Sequence, residues 1–211
     1  MYLGRIVSIG RTNDGKNVAM YRVSSRSFPN RQTVKMGDKV AVMPRPGFEG
    51  DLQKNPYITY NCVRIAGKYA VVSNGSQTDP IAEKIASGMP VRDAMTLGLL
   101  ALDYEHDSLD TPRIVGAVEM DGTRGFLGII RKDAVLVREF AMVPGQARYI
   151  ATYEHNCPCD EYVDNDFDAA CENCAVQYVV DGGVFANFEN PVTSAAALAT
   201  ADGFALGTLI C

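Results

Sequence analysis

Most familiar catalytic signatures are missing from this chain. It has no G-x-S-x-G elbow, no Walker phosphate loop, no G-x-G-x-x-G and no H-E-x-x-H. The α/β-hydrolase, P-loop, dinucleotide-binding and zincin chemistries are therefore set aside. Only two histidines occur, His106 and His155. A Ser-His-Asp triad or a multi-histidine metal site has few candidates. His106 follows a predicted helix end and reads as a partly exposed structural residue. No run of eighteen apolar residues occurs, so no membrane-spanning helix is expected. The first residues, Met1-Tyr2-Leu3-Gly4-Arg5, lack the apolar stretch and cleavage site of a signal peptide. Excess positive charge is absent too. The net charge of −5 argues against broad nucleic-acid binding, while leaving room for a local basic pocket. The expectation is a cytoplasmic protein whose six cysteines are reduced or metal-bound.

The 211 residues are long enough for one domain, 1–211, with a real core and no staples. No repeat and no linker divides them. Segments Tyr2–Ile9 and Val18–Ser24 read as strands joined by a turn at Asn13-Asp14-Gly15. Val34–Met43 reads as another strand, stopped by Pro44-Arg45-Pro46-Gly47. The segment from Lys54 to Asp79 predicts two strands around Ala66-Gly67-Lys68, then a polar loop, Asn74–Asp79, opening a helix over Ile81–Ala86. Asp79 before Pro80 has the pattern of an N-cap followed by an N1 proline. Pro90 opens a longer helix, with Val91, Ala94, Met95, Leu99 and Leu102 at helical spacing, ending near Tyr104–Asp107.

Three more strands are expected at Arg113–Met120, Gly125–Arg131 and Ala134–Val143. Beyond them the sequence predicts a strand near Val176–Val180 and a helix from Val192 to Ala201, with Asn190-Pro191 before it and Gly203 after. Strands outnumber helices about two to one in this reading, and the helices cluster rather than alternate. The fold class is α+β, or a sheet pair with helices outside.

Polar residues gather in three separated segments. Arg26 and Arg31 flank Ser27-Phe28-Pro29-Asn30, spaced to clamp a phosphate through paired donors, although two solvated loop arginines would look the same. Lys54, Asn55, Tyr57, Tyr60 and Asn61 crowd the start of a strand. Alternation sends Tyr57 and Tyr60 to opposite faces, one into packing and the other toward a pocket. The loop Asn74-Gly75-Ser76 before a helix N-terminus could hold an anion or simply end a strand. Asp103 and Glu105 stand at a helix C-terminus, where the dipole favours cations, which hints at use rather than stability.

Cysteine forms a separate cluster. Cys157-Pro158-Cys159 and Cys171-Glu172-Asn173-Cys174 enclose eleven residues rich in Asp and Glu, a flap over about 155–175. Four thiolates so spaced suit a structural zinc, and reduced or regulatory thiols or disulfides suit the pattern as well. A catalytic zinc would need an open position that four cysteines do not leave. Cys62, inside an apolar strand, reads as core.

Six segments carry a resemblance: Tyr2–Ile6, Tyr21–Arg31, Asn55–Ile58, Tyr60–Cys62, Val71–Ser76 and Leu99–Glu105. Together they closely resemble the archaeal-type IMP cyclohydrolases, densely to about residue 116 and more loosely beyond. The resemblance implies a four-layered αββα sandwich similar to the N-terminal-nucleophile hydrolases, here without a Cys, Ser or Thr to act as nucleophile at Met1-Tyr2. It also implies a purine nucleotide as small-molecule substrate and no cofactor for catalysis, with no nucleic-acid or membrane partner. A homo-oligomer is compatible with it.

In the implied reaction a carboxamide nitrogen attacks a formyl carbon of the same molecule, so no enzyme nucleophile is needed. The family's arginine, tyrosine and glutamate fall on Arg31 or Arg26, Tyr60 or Tyr57, and Glu105. The catalytic assignment is Arg31, Tyr60 and Glu105; Arg26, Lys54, Tyr57, Asn61, Asn74, Gly75 and Ser76 are assigned to substrate binding. The competing readings are a non-catalytic nucleotide-binding or zinc-containing module and an N-terminal-nucleophile amidohydrolase.

Overall fold

The computed structural model describes residues 1–211. Asp14-Gly15 turns the chain between β1 (Ile6–Arg11) and β2 (Asn17–Ser24), with Gly15 at a positive φ of 88° that L side chains disfavour. The stretch read as one strand over Val34–Met43 is two, β3 (Arg31–Met36) and β4 (Lys39–Pro44). They fold back at Gly37, where φ is 65°. A short helix, α1 (Asp51–Lys54), and a 3-10 turn at Pro56–Ile58 lead into β5 (Tyr60–Ala66) and β6 (Tyr69–Ser73). Then come α2 (Thr78–Ala86), α3 (Val91–Leu102), β7 (Arg113–Glu119), β8 (Arg124–Arg131), β9 (Ala134–Ala141) and β10 (Gln146–Ala151). The chain closes with β11 (Val163–Asp164), α4 (Glu172–Asp181), β12 (Pro191–Thr200) and β13 (Gly203–Ile210).

The strands form two antiparallel sheets. One runs β11-β10-β1-β2-β12-β13 and the other β3-β4-β5-β6-β7-β8-β9. Alternation along β2 shows how they meet. Ala19, Tyr21 and Val23 point into a core shared with Val42, Cys62, Val72 and Ile114 of the second sheet. Val18 and Met20 point the other way, beneath Ala175, Val176 and Val179 of α4. On the far face of the second sheet, α2 and α3 bury Ile81, Ile85, Met95 and Leu99 against Val71 and Val115. The α+β class is as expected, with two sheets back to back and few helices.

Two elements near the C-terminus exchange types. Val176–Val180, expected as a strand, lies in α4, because Ala175, Val176, Val179 and Val180 make a helical stripe over the sheet. Val192–Ala201, expected as a helix, is β12, paired with β2 on one side and β13 on the other. Its alanines are buried on both faces, so no alternation marks the strand, and tertiary packing overrides their helix propensity. Asp79 is not the N-cap of α2. Gln77 holds that position, and Asp79 instead pairs with Arg64 at 2.5 Å.

Arg22, also on β2, is fully buried on the α4 side. Its guanidinium donates to the carbonyls of Val180 (2.8 Å), Phe185 (3.0 Å), Phe188 (2.6 Å) and Glu189 (3.2 Å). Burial pushes its pKa down to about 10. The four carbonyls tie the end of α4 and the segment after it to the sheet.

Candidate active site

A cleft of about 330 Å³ opens at one end of the two sheets, lined by Tyr2, Arg5, Arg26, Arg31, Tyr57 and Glu105, with further residues of the 25–28, 107–109 and 153 segments. Its lining is mostly polar, cationic and aromatic. No other concavity gathers comparable chemistry.

Glu105 reaches the cleft because of how α3 ends. Asp103 adopts φ 56° with an extended ψ, a strained conformation for a residue other than glycine, and turns the chain sharply inward. The loop that follows is tied down. The Glu105 amide donates to the carbonyl of Thr111 at 2.8 Å. The Asp107 carboxylate accepts from the backbone amides of Leu109 and Thr111 and from the Thr111 hydroxyl. Arg113, heading β7, donates Nε to the carbonyl of Asp103 at 2.7 Å. The carboxylate of Glu105 is thereby fixed on a loop that is rigid for its length.

Electrostatics at that carboxylate are unusual. Arg5 Nη2 donates to Glu105 Oε2 at 3.0 Å, and Arg113 Nη1 lies 3.9 Å from Oε1. Yet Glu105 Oε1 and Arg5 Nε are both buried without a hydrogen-bond partner. Buried polar atoms are normally satisfied, so an orphan pair at a cleft wall points to a group supplied from outside. Burial raises the Glu105 pKa above the usual carboxylate value, opposed by Arg5 and Arg113. Burial also works against charge on Arg5, but Glu105 and the nearby phenols Tyr60 and Tyr21 more than offset it.

Arg31 begins β3 and is 3% exposed. Its Nε donates to the carbonyl of Phe28 at 3.1 Å, and no carboxylate pairs with it. Burial lowers its pKa, with Tyr60 partly compensating. A buried guanidinium without a counter-ion is prepared for an anion. Tyr60, 7% exposed, sits behind the cleft wall within electrostatic reach of Arg31 and Arg5. Its hydroxyl meets that of fully buried Tyr21 at 2.6 Å. Burial raises both phenols, and either hydroxyl can donate in their mutual bond.

Of the residues singled out from the sequence, Arg26, Arg31, Tyr57 and Glu105 line one cleft, with Tyr60 behind it. Arg26 stacks over Tyr2 at 4.2 Å and pairs with Glu189 at 3.3 Å. The others lie elsewhere. Lys54 is exposed and paired with Asp51 at 2.7 Å. Asn61 donates to both oxygens of Asp79. Asn74 is spent on Pro112, Ile114 and Gln77. Gly75 packs against the Arg113 guanidinium, and Ser76 is exposed. The loop expected to hold an anion therefore braces Arg113 instead, with Gln77 Oε1 accepting from Arg113 Nη1 at 3.0 Å.

Arg5, Arg113 and Tyr21 are given no site role by the sequence, although Arg5 and Tyr21 stand in segments that carry the resemblance.

The cysteines stay out of the cleft. Cys62 is buried core, its thiol pKa raised by burial. All six are free, and nowhere do three or more His, Cys, Asp or Glu side chains gather as a metal site. The four flap thiols thus do not converge into the zinc knuckle their spacing allows. Cys171 starts α4 as its cap, while Cys157 and Cys159 lie in the turn after β10.

Comparison with known proteins bears on the whole chain. A family described as IMP cyclohydrolase-like protein matches residues 2–203. An IMP cyclohydrolase of Methanosphaera stadtmanae is 48% identical, over 93% of this chain and 94% of that protein. Another, from Methanocella arvoryzae, is 49% identical over 98% and 97%. The Halobacterium salinarum IMP cyclohydrolase is 49% identical over 75% of each chain.

Proposed function

This chain belongs to the IMP cyclohydrolase-like family and is an enzyme of that activity, and we propose that the Arg5–Arg31–Glu105 cleft is where it closes the purine ring. The substrate is 5-formamidoimidazole-4-carboxamide ribonucleotide. Its carboxamide nitrogen attacks its own formyl carbon, and loss of water gives inosine monophosphate. Nucleophile and electrophile belong to one molecule, so the protein's task is to hold them in near-attack geometry and move protons, with no cofactor entering the steps.

Glu105 takes the proton of the attacking amide through Oε1, the oxygen left without a partner. Burial keeps this carboxylate more basic than a solvated one, which suits a base working near neutral pH. Arg31 stabilises negative charge developing on the formyl oxygen. Tyr60 protonates that oxygen to a hydroxyl. Protonated Glu105 then gives it the second proton as water leaves, and the formamide N–H proton returns to Tyr60. The Tyr21 hydroxyl, hydrogen-bonded to that of Tyr60, orients it. Arg26, with Ser25 and Ser27 beside it, holds the 5′-phosphate at the open end, a role the sequence shares among one of the two arginines, Lys54 and residues 74–76. Tyr57 and Tyr2 offer faces for the heterocycle.

The two sheets with helices outside both faces support reading the fold as the four-layered αββα sandwich of the N-terminal-nucleophile hydrolases, in a single domain. The observation that carries the site assignment is the orphan Oε1 of Glu105, a residue that lines a cleft of guanidinia.

The test follows inosinate formation by ultraviolet absorbance with chelator present and without folate. The wild type should turn over. Glu105→Gln should lose about 10²-fold or more in kcat. A change confined to KM would remove Glu105 from the role of base.

A further inference from the structure

The cysteine flap contains a dithiol that ring closure does not use. Cys171 caps α4, its sulfur accepting from the backbone amide of Cys174 at 3.2 Å. Cys174 is exposed and Cys171 half-buried. Neither lines the cleft. The first turn of α4 is held from below, since the carbonyl of Glu172 packs directly on Gly207 of β13. No third cysteine, histidine or carboxylate joins them in a metal-holding group. Beside Cys174 runs an open groove of about 550 Å³ that carries Asp168 and Asp181.

From this arrangement we infer that Cys171 and Cys174 form a reversible thiol–disulfide exchange site, matched by its acidic groove to cationic low-molecular-weight disulfides. The Cys171 thiolate attacks a disulfide R–S–S–R, forming a mixed disulfide and expelling one thiolate. The Cys174 sulfur then attacks Cys171, giving up its proton, and the second thiol leaves. In sum, two protein thiols and R–S–S–R become one protein disulfide and two R–SH, the small disulfide being the oxidant. The geometry divides the roles. The Cys174 amide donates to the Cys171 sulfur at the start of α4, which favours a thiolate at Cys171 and leaves Cys174 as the second thiol. Cys157 and Cys211 are both raised by burial and serve as internal references.

The experiment incubates the full-length protein at pH 7 with cystamine or with glutathione disulfide, quenches by alkylation and maps the peptides by mass. The expected product is an intramolecular Cys171–Cys174 disulfide that dithiothreitol reverses, formed at least about tenfold faster than modification of Cys211. Cystamine should outpace glutathione disulfide, with added salt narrowing the gap. Cys174→Ser should trap the mixed disulfide on Cys171, and Cys171→Ser should abolish the fast phase. Equal rates at Cys171 and Cys211, or bridges from Cys171 to Cys157 or Cys159, would overturn the assignment. A glutathione preference would overturn the role given to the acidic groove.

Discussion

Replacing Arg5 by Met tests the electrostatics of the proposed base directly. The Arg5 and Glu105 side chains are 14% and 2% exposed and 3.0 Å apart. At an effective dielectric near 20, unit charges about 4 Å apart interact by about 4 kcal/mol. Arg113 remains at 3.9 Å, so only part of the stabilisation of the carboxylate is lost with this partner. The sign follows from the cation's role. Arg5 favours the ionised carboxylate, so its removal raises the Glu105 pKa further. The base form then appears only at higher pH.

In kcat against pH at saturating substrate, the acid limb of Arg5→Met should move to higher pH, and the rate at pH 7 should fall about tenfold or more. Alkaline pH should recover much of that loss. Arg5→Lys, which retains the charge, should keep the limb near its wild-type place. Because an unpaired buried carboxylate is destabilising, melting curves must accompany the rates. If the folded variant loses rate equally at every pH, Arg5 does not tune Glu105 and the base assignment loses its support.

Three further substitutions probe the neighbours. Tyr21→Phe removes the hydrogen-bond partner that lowers the Tyr60 pKa, so that pKa should rise and the alkaline limb of kcat should move to higher pH, with kcat down about tenfold and KM unchanged. An unmoved alkaline limb would show that the phenol pair is packing alone. Arg31→Lys keeps the charge but loses the planar fork; kcat should drop about 10²-fold if Arg31 serves the formyl oxygen, whereas a pure KM effect would shift it to phosphate binding. Gly98→Ala adds a methyl where α3 crosses Ile81 of α2. Overpacking there should cost about 1–3 kcal/mol, read as a lower Tm, and an unchanged melting curve would mean the helices simply part.

The sequence was informative where local chemistry decides local structure. Asp14-Gly15 and Gly67 marked their turns, and the spacing from Val91 to Leu99 marked α3, because those signals act within a few residues. It misled where packing decides. The alanines of β12 are small because they lie between two cores, and a stripe of valines serves α4 as well as it would a strand. The site divides in the same way. Arg26, Arg31, Tyr57 and Glu105 were visible as polar residues out of place. Lys54, Asn61 and Asn74 looked equivalent, but their partners Asp51, Asp79 and Pro112 come from α1, α2 and the loop before β7. Arg5 and Arg113 gained meaning only when Glu105 arrived between them from a distant loop.

Tyr21 and Arg22 are consecutive on β2 and face opposite ways, one meeting a phenol and the other a ring of four carbonyls. A slip of β2 by a single residue would exchange them. The guanidinium would then enter the inter-sheet core, and the carbonyls would face a phenol with one proton to give. Misregistered pairing therefore fails at two sites at once, on both sides of the sheet. The strand carries its own proofreading during folding, written in two adjacent side chains that cannot stand in for each other.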